Sequence, residues 1–430
     1  MTPAASSELA PRRAALALID AGLDHRGGFD EAMTRPPFTN LEPRERAWAR
    51  GLAATAFRRM GTIDRALAAR MDRPPSQAAT AILRLGAAQL FYRDTPAFAA
   101  VSTSVELAEE DKHARHFKGL INAVLRKMAR EGVPDLGPEA DLPPWLAARW
   151  RGAYGEAAAA ALAARLAEDP PTDLSLRDPA DAASLAAEIE GEVLPGGSVR
   201  SWRRGDLPSW PRFDDGIWWV QDAAAAIPAR LLAVQPGETA LDLCAAPGGK
   251  TLQLAAAGAT VTALDRSAAR MRRVTENLTR TGLSAQTVAI DAGAWRDPGA
   301  FDAVLLDAPC TATGTFRRHP DVLWGARASE IGKLAAVQAR LLDIAAARTR
   351  PGGRMVYCVC SLEPEEGEAQ VEAVLARRSD LRLDPIAPGE GGAPAEAVRP
   401  QGWLRILPSL VEPPGGLDGF FVARFVRTAG

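Results

Sequence analysis

Apolar residues recur at helical spacing through the first 130 residues of the chain. The clearest case is His116–Arg130, where one side of the predicted helix is apolar and the other side is basic. The apolar stripe consists of Phe117, Leu120, Ile121, Val124, Leu125 and Met128. Because apolar positions three and four residues apart share one face of a helix, this pattern, which Glu42–Arg59 and Ala78–Phe91 repeat, predicts an all-helical region over residues 8–130.

The second half of the chain has another pattern, in which short apolar runs alternate with longer amphipathic stretches. The runs predict strands at 239–243, 259–264, 287–290, 301–306 and 354–359. Helices are predicted at 222–234, 267–281, 330–348 and 366–378, and the apolar tail from Gly419 predicts an edge strand. Strands that alternate with helices form mostly parallel sheets, and ligands bind at the carboxyl ends of their strands.

Glycine and proline mark the divisions between these regions. Their cluster in residues 131–144 predicts a linker. An alanine-rich helical stretch follows and ends before Pro170 and Pro171, after which residues 172–220 predict a lobe of short strands and loops. We therefore expect a helical domain at 1–134, a small mixed α/β lobe at 145–225 and a larger α/β domain at 226–430.

Charge is distributed unevenly along a chain whose formal net charge is −2. Residues 1–134 contain 20 Lys and Arg against 15 Asp and Glu, an excess of five positive charges that favours a polyanionic partner. The four cysteines match neither a zinc-site spacing nor a disulfide scaffold, so we expect no metal. No stretch is long and apolar enough for a membrane span and no signal sequence is visible, so we expect a cytoplasmic protein, and a monomer.

The stretch Thr239–Thr251 predicts a buried strand, a tight glycine loop and the start of a helix. Gly248 and Gly249 allow the backbone to turn sharply and to approach a ligand closely. Asp265 ends the next strand, where a carboxylate commonly holds a ribose. A glycine turn of any α/β protein and a nicotinamide-dependent dehydrogenase are the alternatives, although the only histidine of this half is His319, which is not placed to relay a hydride.

Two cysteines lie at predicted strand ends, Cys310 after the fourth strand and Cys360 after the fifth. Both could be small buried core residues. If the two strands are neighbours, the thiols converge beside Asp307 on one cleft. A thiolate that adds to C6 of cytosine makes C5 nucleophilic toward a methyl donor, and a carboxyl group at the N3/N4 edge stabilises that adduct. The arrangement therefore favours cytosine C5 methylation.

Three motifs resemble the Nol1/Nop2/Sun family of RNA 5-methylcytosine methyltransferases: Asp242–Thr251, Asp307–Asp321 and Tyr357–Ser361. Residues 100–127 resemble the helical RNA-binding domain of NusB. The resemblance implies a Rossmann-like class I methyltransferase sheet with an N-terminal all-α NusB-like domain and a small linking α/β lobe that also binds RNA. It further implies S-adenosylmethionine as methyl donor and 16S ribosomal RNA as substrate.

The resemblance also assigns roles to individual residues. Cys360 is implied as the nucleophile, Cys310 as the group that assists product release, and Asp307 and Lys250 as contacts of the base or the donor. The donor site is implied to comprise Cys244, Ala245, Ala246, Pro247, Gly248, Gly249, Lys250, Asp265, Asp291 and Asp307. Arg317, Arg318 and His319 would line the path of the RNA, and Lys118, Arg126 and Lys127 would bind it in the helical domain.

Two further alternatives stay open from the sequence. The substrate could be another RNA such as tRNA, or the protein could be a non-catalytic RNA-binding factor of ribosome assembly. Cys358 stands where the family usually has a smaller residue, and we expect it to pack in the core.

Overall fold

The computed structural model describes residues 3–24, 28–296, 299–410 and 413–428. The α-helices are α1 (Pro3–Leu23), α2 (Gly28–Ala32), α3 (Pro43–Arg58), α4 (Met60–Ala68), α5 (Gln77–Tyr92), α6 (Ala97–Glu110), α7 (Lys118–Glu131), α8 (Pro144–Tyr154), α9 (Glu156–Leu166), α10 (Ala182–Glu188), α11 (Ala223–Leu232), α12 (Gly249–Ala256), α13 (Ala268–Thr281), α14 (Asp321–Gly325), α15 (Ala328–Arg348) and α16 (Glu368–Arg377). None of the described helices is long and apolar enough to cross a membrane.

The strands follow in the same order along the chain. They are β1 (Thr172–Leu176), β2 (Gly191–Val193), β3 (Val199–Ser201), β4 (Trp218–Val220), β5 (Thr239–Leu243), β6 (Thr260–Asp265), β7 (Gln286–Ala289), β8 (Phe301–Asp307), β9 (Thr349–Val359), β10 (Leu381–Leu383), β11 (Leu404–Ile406) and β12 (Phe420–Arg427). Short 3₁₀ turns connect several of these elements, among them Pro138–Asp141, Thr313–Thr315 and Pro364–Glu366.

The chain forms two compact units, one helical and one α/β. The helical unit comprises residues 1–168 together with Phe316–Ala326, and its core is built from the apolar faces of α1 to α7. Helix α7 buries Ile121, Val124, Leu125 and Met128, as the hydrophobic pattern predicts. The sequence-based prediction of an all-helical N-terminal region is confirmed.

The α/β unit comprises residues 169–315 and 327–430 and contains two sheets. The larger sheet has the strand order β10-β12-β9-β8-β5-β6-β7, with β11 paired to β12, and its strands β9, β8, β5, β6 and β7 are parallel neighbours. Along β9, Val356 and Cys358 join one core cluster while Met355, Tyr357 and Val359 join another. Both faces are therefore buried, as in a doubly wound sheet.

The prediction that the C-terminal strand lies at an edge is wrong. Strand β12 lies between β9 and β10 and is antiparallel to both. Its residues Phe420–Arg424 are all buried, which explains why the tail is apolar without the alternation expected of a half-exposed strand.

The two units also divide the chain at points other than the predicted boundaries at 134, 145 and 225. The segment predicted as a linker packs on α4: Asp141 is buried and its carboxylate accepts a hydrogen bond from the Thr62 amide at 2.8 Å. Trp150 of α8 contacts Phe316 with ring centroids 5.7 Å apart, so α8 belongs with the helical unit. The four-stranded sheet β2-β3-β1-β4 belongs instead with the larger sheet, since the Asp173 carboxylate accepts from the Ala223 amide at 3.0 Å.

Candidate active site

The loop between β5 and α12 carries the residues predicted to hold the methyl donor. Gly248 adopts φ +107°, and a Cβ at this position would approach Val274 to 3.2 Å, so the loop requires glycine here. Ala245 and Ala246 are buried, Pro247 is exposed, and α12 begins at Gly249 with Lys250 in its first turn. Cys244 also has a positive φ, and burial raises the pKa of its thiol to about 12, so the thiol is protonated at neutral pH.

Two further predicted donor ligands follow neighbouring parallel strands. Asp265 is the last residue of β6 and is buried; its carboxylate accepts from the Ser267 amide at 2.8 Å and lies 3.3 Å from the Arg270 guanidinium. Asp291 lies two residues beyond β7 and pairs with Arg340 at 3.4 Å. Both carboxylates are at the carboxyl edge of the sheet, where ligands of such folds bind.

A cluster of polar side chains lies beside this loop, and we call Asp242, Lys250, Thr251 and Asp307 the donor-side cluster. Asp242, Lys250 and Thr251 are buried, and Asp307 is partly exposed. The Lys250 Nζ atom is 2.7 Å from Asp307 Oδ2, and the Thr251 hydroxyl donates to Asp242 Oδ2 at 2.6 Å. Burial opposes the charged form of Lys250, yet the Asp307 carboxylate raises its pKa above the usual value, so the ammonium persists. Burial raises the pKa of Asp242 to about 7.

The donor-side cluster has the chemistry that an S-adenosylmethionine site requires. Asp242 Oδ1 is buried and has no hydrogen-bond partner among the described residues. Such an acceptor is costly unless something pairs with it, and the methionine ammonium group of the donor is a suitable partner. Asp265, for which the sequence predicts contacts with the ribose hydroxyls, lies at the end of β6.

Cys310 and Cys360 are brought together as the sequence predicts. Strands β8 and β9 are parallel neighbours, and the two Sγ atoms lie 3.6 Å apart. Gly314 keeps the loop after Cys310 close, because its amide donates to the Cys360 carbonyl at 2.9 Å and a Cβ there would lie 2.2 Å from the Gly419 carbonyl oxygen. The contact with Cys360 and burial raise the pKa of the Cys310 thiol well above its usual value.

Two contacts of this site escaped the sequence analysis. The Cys358 thiol is buried as expected, but it also lies 3.4 Å from Asp307 Oδ1. Phe420 of β12 lies against Lys250, with the ammonium 5.4 Å from the ring centroid. Neither could be found from local patterns, since both depend on which strands become neighbours in the sheet. The described residues contain no group of three or more His, Cys, Asp or Glu arranged to hold a metal ion.

The residues predicted to bind RNA fall into two groups. Lys118, Arg126 and Lys127 are exposed on α7, as a binding surface requires. The role predicted for Arg317 does not fit its position, because the side chain is only 2% exposed within the helical unit and Arg58 donates to its carbonyl at 2.7 Å. Arg318 and His319 are partly buried, and burial lowers the pKa of His319 to about 4, so that this imidazole is neutral at physiological pH.

Comparisons with known proteins agree with this architecture. Residues 229–426 match the family described as 16S rRNA methyltransferase RsmB/F, and residues 10–130 match the NusB family. A ribosomal RNA small subunit methyltransferase B from Xanthomonas campestris is 37% identical over 410 residues, which cover 90% of this chain and 93% of the relative.

Two solved structures extend the comparison to the fold. The protein PH0851 superposes with a TM-score of 0.81 at 22% identity, over 97% of this chain and 99% of that one. A methyltransferase homolog from Pyrococcus horikoshii gives a TM-score of 0.54 at 26% identity, over 71% of this chain and 98% of that one. With the relative's identity and coverage, these findings place the chain in the RsmB/F family: it is an RNA methyltransferase that uses S-adenosylmethionine.

Proposed function

We propose that this protein methylates C5 of cytosine in ribosomal RNA of the small subunit through a covalent adduct between Cys360 and C6. The observation that carries the proposal is the pair of thiols 3.6 Å apart at the ends of neighbouring strands, next to the Lys250–Asp307 ion pair. A single thiol would suffice for packing, whereas two converging thiols beside a charged pair suit addition followed by elimination. The RNA class rests on the names of the relatives.

The first step in this mechanism is attack by Cys360. Its thiolate forms a bond to C6, and the electrons of the C5–C6 double bond move toward C5. Asp307, held by Lys250, accepts a hydrogen bond from the exocyclic amine of the base, and the Lys250 ammonium offsets the negative charge that the ring acquires. When bound, S-adenosylmethionine would supply an electrophilic methyl group to C5 and would leave as S-adenosylhomocysteine.

Elimination then restores the aromatic ring. A base removes the proton from C5, the electrons re-form the C5–C6 double bond, and the Cys360 thiolate leaves. Cys310 lies beside the departing sulfur, and its raised pKa has two consequences. The thiol stays protonated while Cys360 attacks, and it can then pass its proton to the departing Cys360 sulfur 3.6 Å away; the Cys310 thiolate so formed is a base strong enough to take the C5 proton. The short distance between the sulfurs and the raised pKa of Cys310 support Cys360 as nucleophile and Cys310 as the residue that assists release.

Single substitutions of the two cysteines test the mechanism. Cys360→Ala should form neither adduct nor product. Cys310→Ala should attack and methylate but then stall as protein joined to RNA, visible as a slow band on denaturing electrophoresis. The band should require the donor, and a Cys310→Ala/Cys360→Ala double variant should lack it. A band from Cys360→Ala but not from Cys310→Ala would assign the nucleophile to Cys310, and methylation by both variants without a band would exclude the covalent route.

The choice of RNA needs a separate test. Purified enzyme and donor should methylate small-subunit ribosomal RNA or its particle and leave tRNA unmodified. When 5-methylcytosine is mapped in cells with and without the gene, the small-subunit RNA of the cells that lack the gene should have one fewer modified site. If a Cys360→Ala gene restored ribosome assembly in deleted cells without restoring the modification, the essential activity would be that of an assembly factor.

We further propose that the exposed basic side of α7 contributes RNA affinity. Lys118, Arg126 and Lys127 lie there, although Lys118 also pairs with Glu109 at 2.9 Å. RNA affinity falls as salt rises, and each phosphate contact that is lost should make the plot of log affinity against log salt shallower by about 0.9. The triple alanine variant should therefore bind RNA with a slope reduced by about 2 to 3, and an unchanged slope would remove α7 from the binding surface.

A further inference from the structure

Glu366 is a fully buried carboxylate that the mechanism above does not use. It ends the 3₁₀ turn Pro364–Glu366, five residues beyond Ser361, and its side chain has no exposed surface. Burial raises the pKa of its carboxyl group, and hydrogen bonds from neighbouring side chains oppose that rise. A buried carboxylate is costly unless it is well paired, so its partners indicate what it does.

The partners of Glu366 are the residues that directly follow the two cysteines. The Thr311 hydroxyl donates to Oε2 at 2.5 Å and the Thr311 amide to Oε1 at 3.1 Å, while the Ser361 hydroxyl donates to Oε2 at 2.5 Å. Gln338 of α15 donates to Oε1 at 3.0 Å and to the carbonyl of Pro309, the residue before Cys310, at 2.9 Å. We call Glu366, Thr311, Gln338 and Ser361 the Glu366 cluster.

All of these donors are neutral. None of the ion pairs found in the described ranges of the chain includes Glu366, in contrast to Asp307 with Lys250. The carboxylate therefore joins three segments by hydrogen bonds alone: the loop that carries Cys310, the end of β9 that carries Cys360, and helix α15. The cysteine segments also have direct ties: the Thr311 and Ser361 hydroxyls lie 3.0 Å apart, and the Ala308 amide donates to the Cys358 carbonyl at 3.0 Å. Glu366 adds to these by accepting from the residues on both segments at once and by linking them to α15.

From these contacts we infer that Glu366 is a positioning residue that sets the distance and orientation of the Cys310 thiol relative to Cys360. The inference rests on the proposed function only in so far as these thiols do the chemistry. A misplacement of about 1 Å in a reacting group can cost about 100-fold in rate, so a residue that fixes two thiols 3.6 Å apart controls the reaction without touching the substrate.

The hydrogen-bond inventory shows why even glutamine should disturb the cluster. A carboxylate accepts at both oxygens, whereas a side-chain amide has one acceptor and one donor end. If the new amide group stood at Oε1, it would face the Thr311 amide and the Gln338 amide, which are both donors. If it stood at Oε2, it would face the Thr311 and Ser361 hydroxyls, which both donate to that oxygen and would have to turn and accept instead. In either orientation the hydrogen bonds that Glu366 accepts cannot all be kept, so the cluster must rearrange.

The experiment compares Glu366→Gln with Glu365→Gln in the full chain, because Glu365 is the adjacent glutamate and is exposed. Equilibration in glutathione redox buffers, with peptide mapping of the Cys310–Cys360 disulfide, gives the effective concentration of one thiol at the other. We expect this concentration to fall by about tenfold in Glu366→Gln and to stay at the wild-type value in Glu365→Gln. Methyl-transfer kcat should fall by about 100-fold in Glu366→Gln, with the KM for S-adenosylmethionine unchanged.

The outcomes separate this inference from the proposed function. An unchanged effective concentration in a folded Glu366→Gln protein overturns the positioning role, whatever the enzyme does to RNA. A reduced effective concentration together with no covalent RNA adduct from Cys310→Ala supports the positioning role and rejects the proposed mechanism. If Glu366→Gln fails to fold, Thr311→Val and Ser361→Ala each remove a hydroxyl that donates to Glu366, and each should lower the effective concentration of one thiol at the other. A wild-type effective concentration in both variants overturns the inference.

Discussion

The donor-side cluster and the Glu366 cluster both place a carboxylate near the paired thiols, but the two carboxylates are stabilised differently. Asp307 has a cation as its partner, since Lys250 lies 2.7 Å away. Glu366 has only neutral donors. A buried charge pair fixes the charge on both partners, whereas a carboxylate among neutral donors fixes geometry and leaves its charge sensitive to burial. We therefore infer that the donor-side cluster supplies charge to the reaction, and that the Glu366 cluster positions the two thiols.

The largest expected effect concerns Asp242 of the donor-side cluster. Its pKa of about 7 in the folded protein is above the ordinary value of 3.8, so between these pH values the folded state binds more protons than the unfolded state. This contribution to stability is complete below about pH 4 and is lost as the pH rises through 7. With about 1.4 kcal/mol for each pKa unit, it is on the order of 4 kcal/mol.

The test compares urea unfolding of wild type and Asp242→Asn across this pH range. Asparagine keeps the acceptor for the Thr251 hydroxyl and cannot titrate. We expect wild type to lose stability relative to the variant as the pH rises from about 4 to 7. Parallel stability profiles would show that Asp242 does not titrate in this window.

Lys250→Met breaks the charge pair and leaves the Asp307 carboxylate without its cation. Lys250 is buried but the Asp307 side chain is 32% exposed, so water partly compensates the remaining carboxylate and the free energy of unfolding should fall by about 2 to 3 kcal/mol, at or below the low end of the range for a fully buried pair. Glu366→Gln leaves no charged group without its partner, so this variant should lose only about 1 kcal/mol of unfolding free energy. Lys333→Met is the control, because Lys333 forms an exposed pair with Glu330 and should lose less than about 1 kcal/mol. Equal costs for Lys250→Met and Glu366→Gln, measured by urea unfolding, would remove the distinction between the clusters.

Gln338→Leu tests the Glu366 cluster from the opposite side. It removes a buried donor from the Pro309 carbonyl and from Glu366 Oε1, which keeps only the Thr311 amide as its donor. The two lost hydrogen bonds should lower the free energy of unfolding by about 2 kcal/mol. Gln235→Leu is a matched control, since Gln235 is exposed and its side-chain amide donates to the carbonyl of Ala233, an exposed residue. Chemical denaturation of both variants gives the difference, and equal stabilities would mean that α15 does not support the cluster.

The smallest expected effect separates donor binding from thiol placement. Asp265→Ala should weaken S-adenosylmethionine binding about tenfold in Kd, or ~1.4 kcal/mol, because the ribose hydroxyls lose their acceptor. Glu366→Gln should bind the donor as wild type does. Titration calorimetry on both variants measures this, and a weakened Kd in Glu366→Gln would show that the two clusters are not independent.

The sequence predicted the residues at the carboxyl edge of the sheet better than the Glu366 cluster, for a physical reason. Parallel strands end at one edge of a sheet, so Asp265, Asp307 and Cys360 could be assigned to that edge from their positions alone. Glu366 lies in an acidic run, Pro364-Glu-Glu-Gly-Glu368, that is typical of a solvated turn. Its burial depends on Thr311 and Gln338, which are 55 and 28 residues away in the chain.

Two errors have the same origin. The apolar tail correctly predicted a strand, but insertion of β12 between β9 and β10 depends on pairing that no local pattern encodes. Arg317 was predicted to line the path of the RNA, yet its side chain is buried and the segment Phe316–Ala326 packs within the helical unit. Residue type and periodicity predict elements, whereas burial of a charged side chain is set by distant partners.

The position of β12 has a consequence for synthesis of the protein on the ribosome. This strand pairs with β9 beside Cys358, and its first residue, Phe420, covers the Lys250 ammonium. Domains fold in the order in which they are translated, so the helices of residues 3–166 can form long before this strand exists. The growing chain therefore carries its basic helical surface before it has a complete catalytic sheet, and the enzyme becomes active only when residues 420–427 have left the exit tunnel.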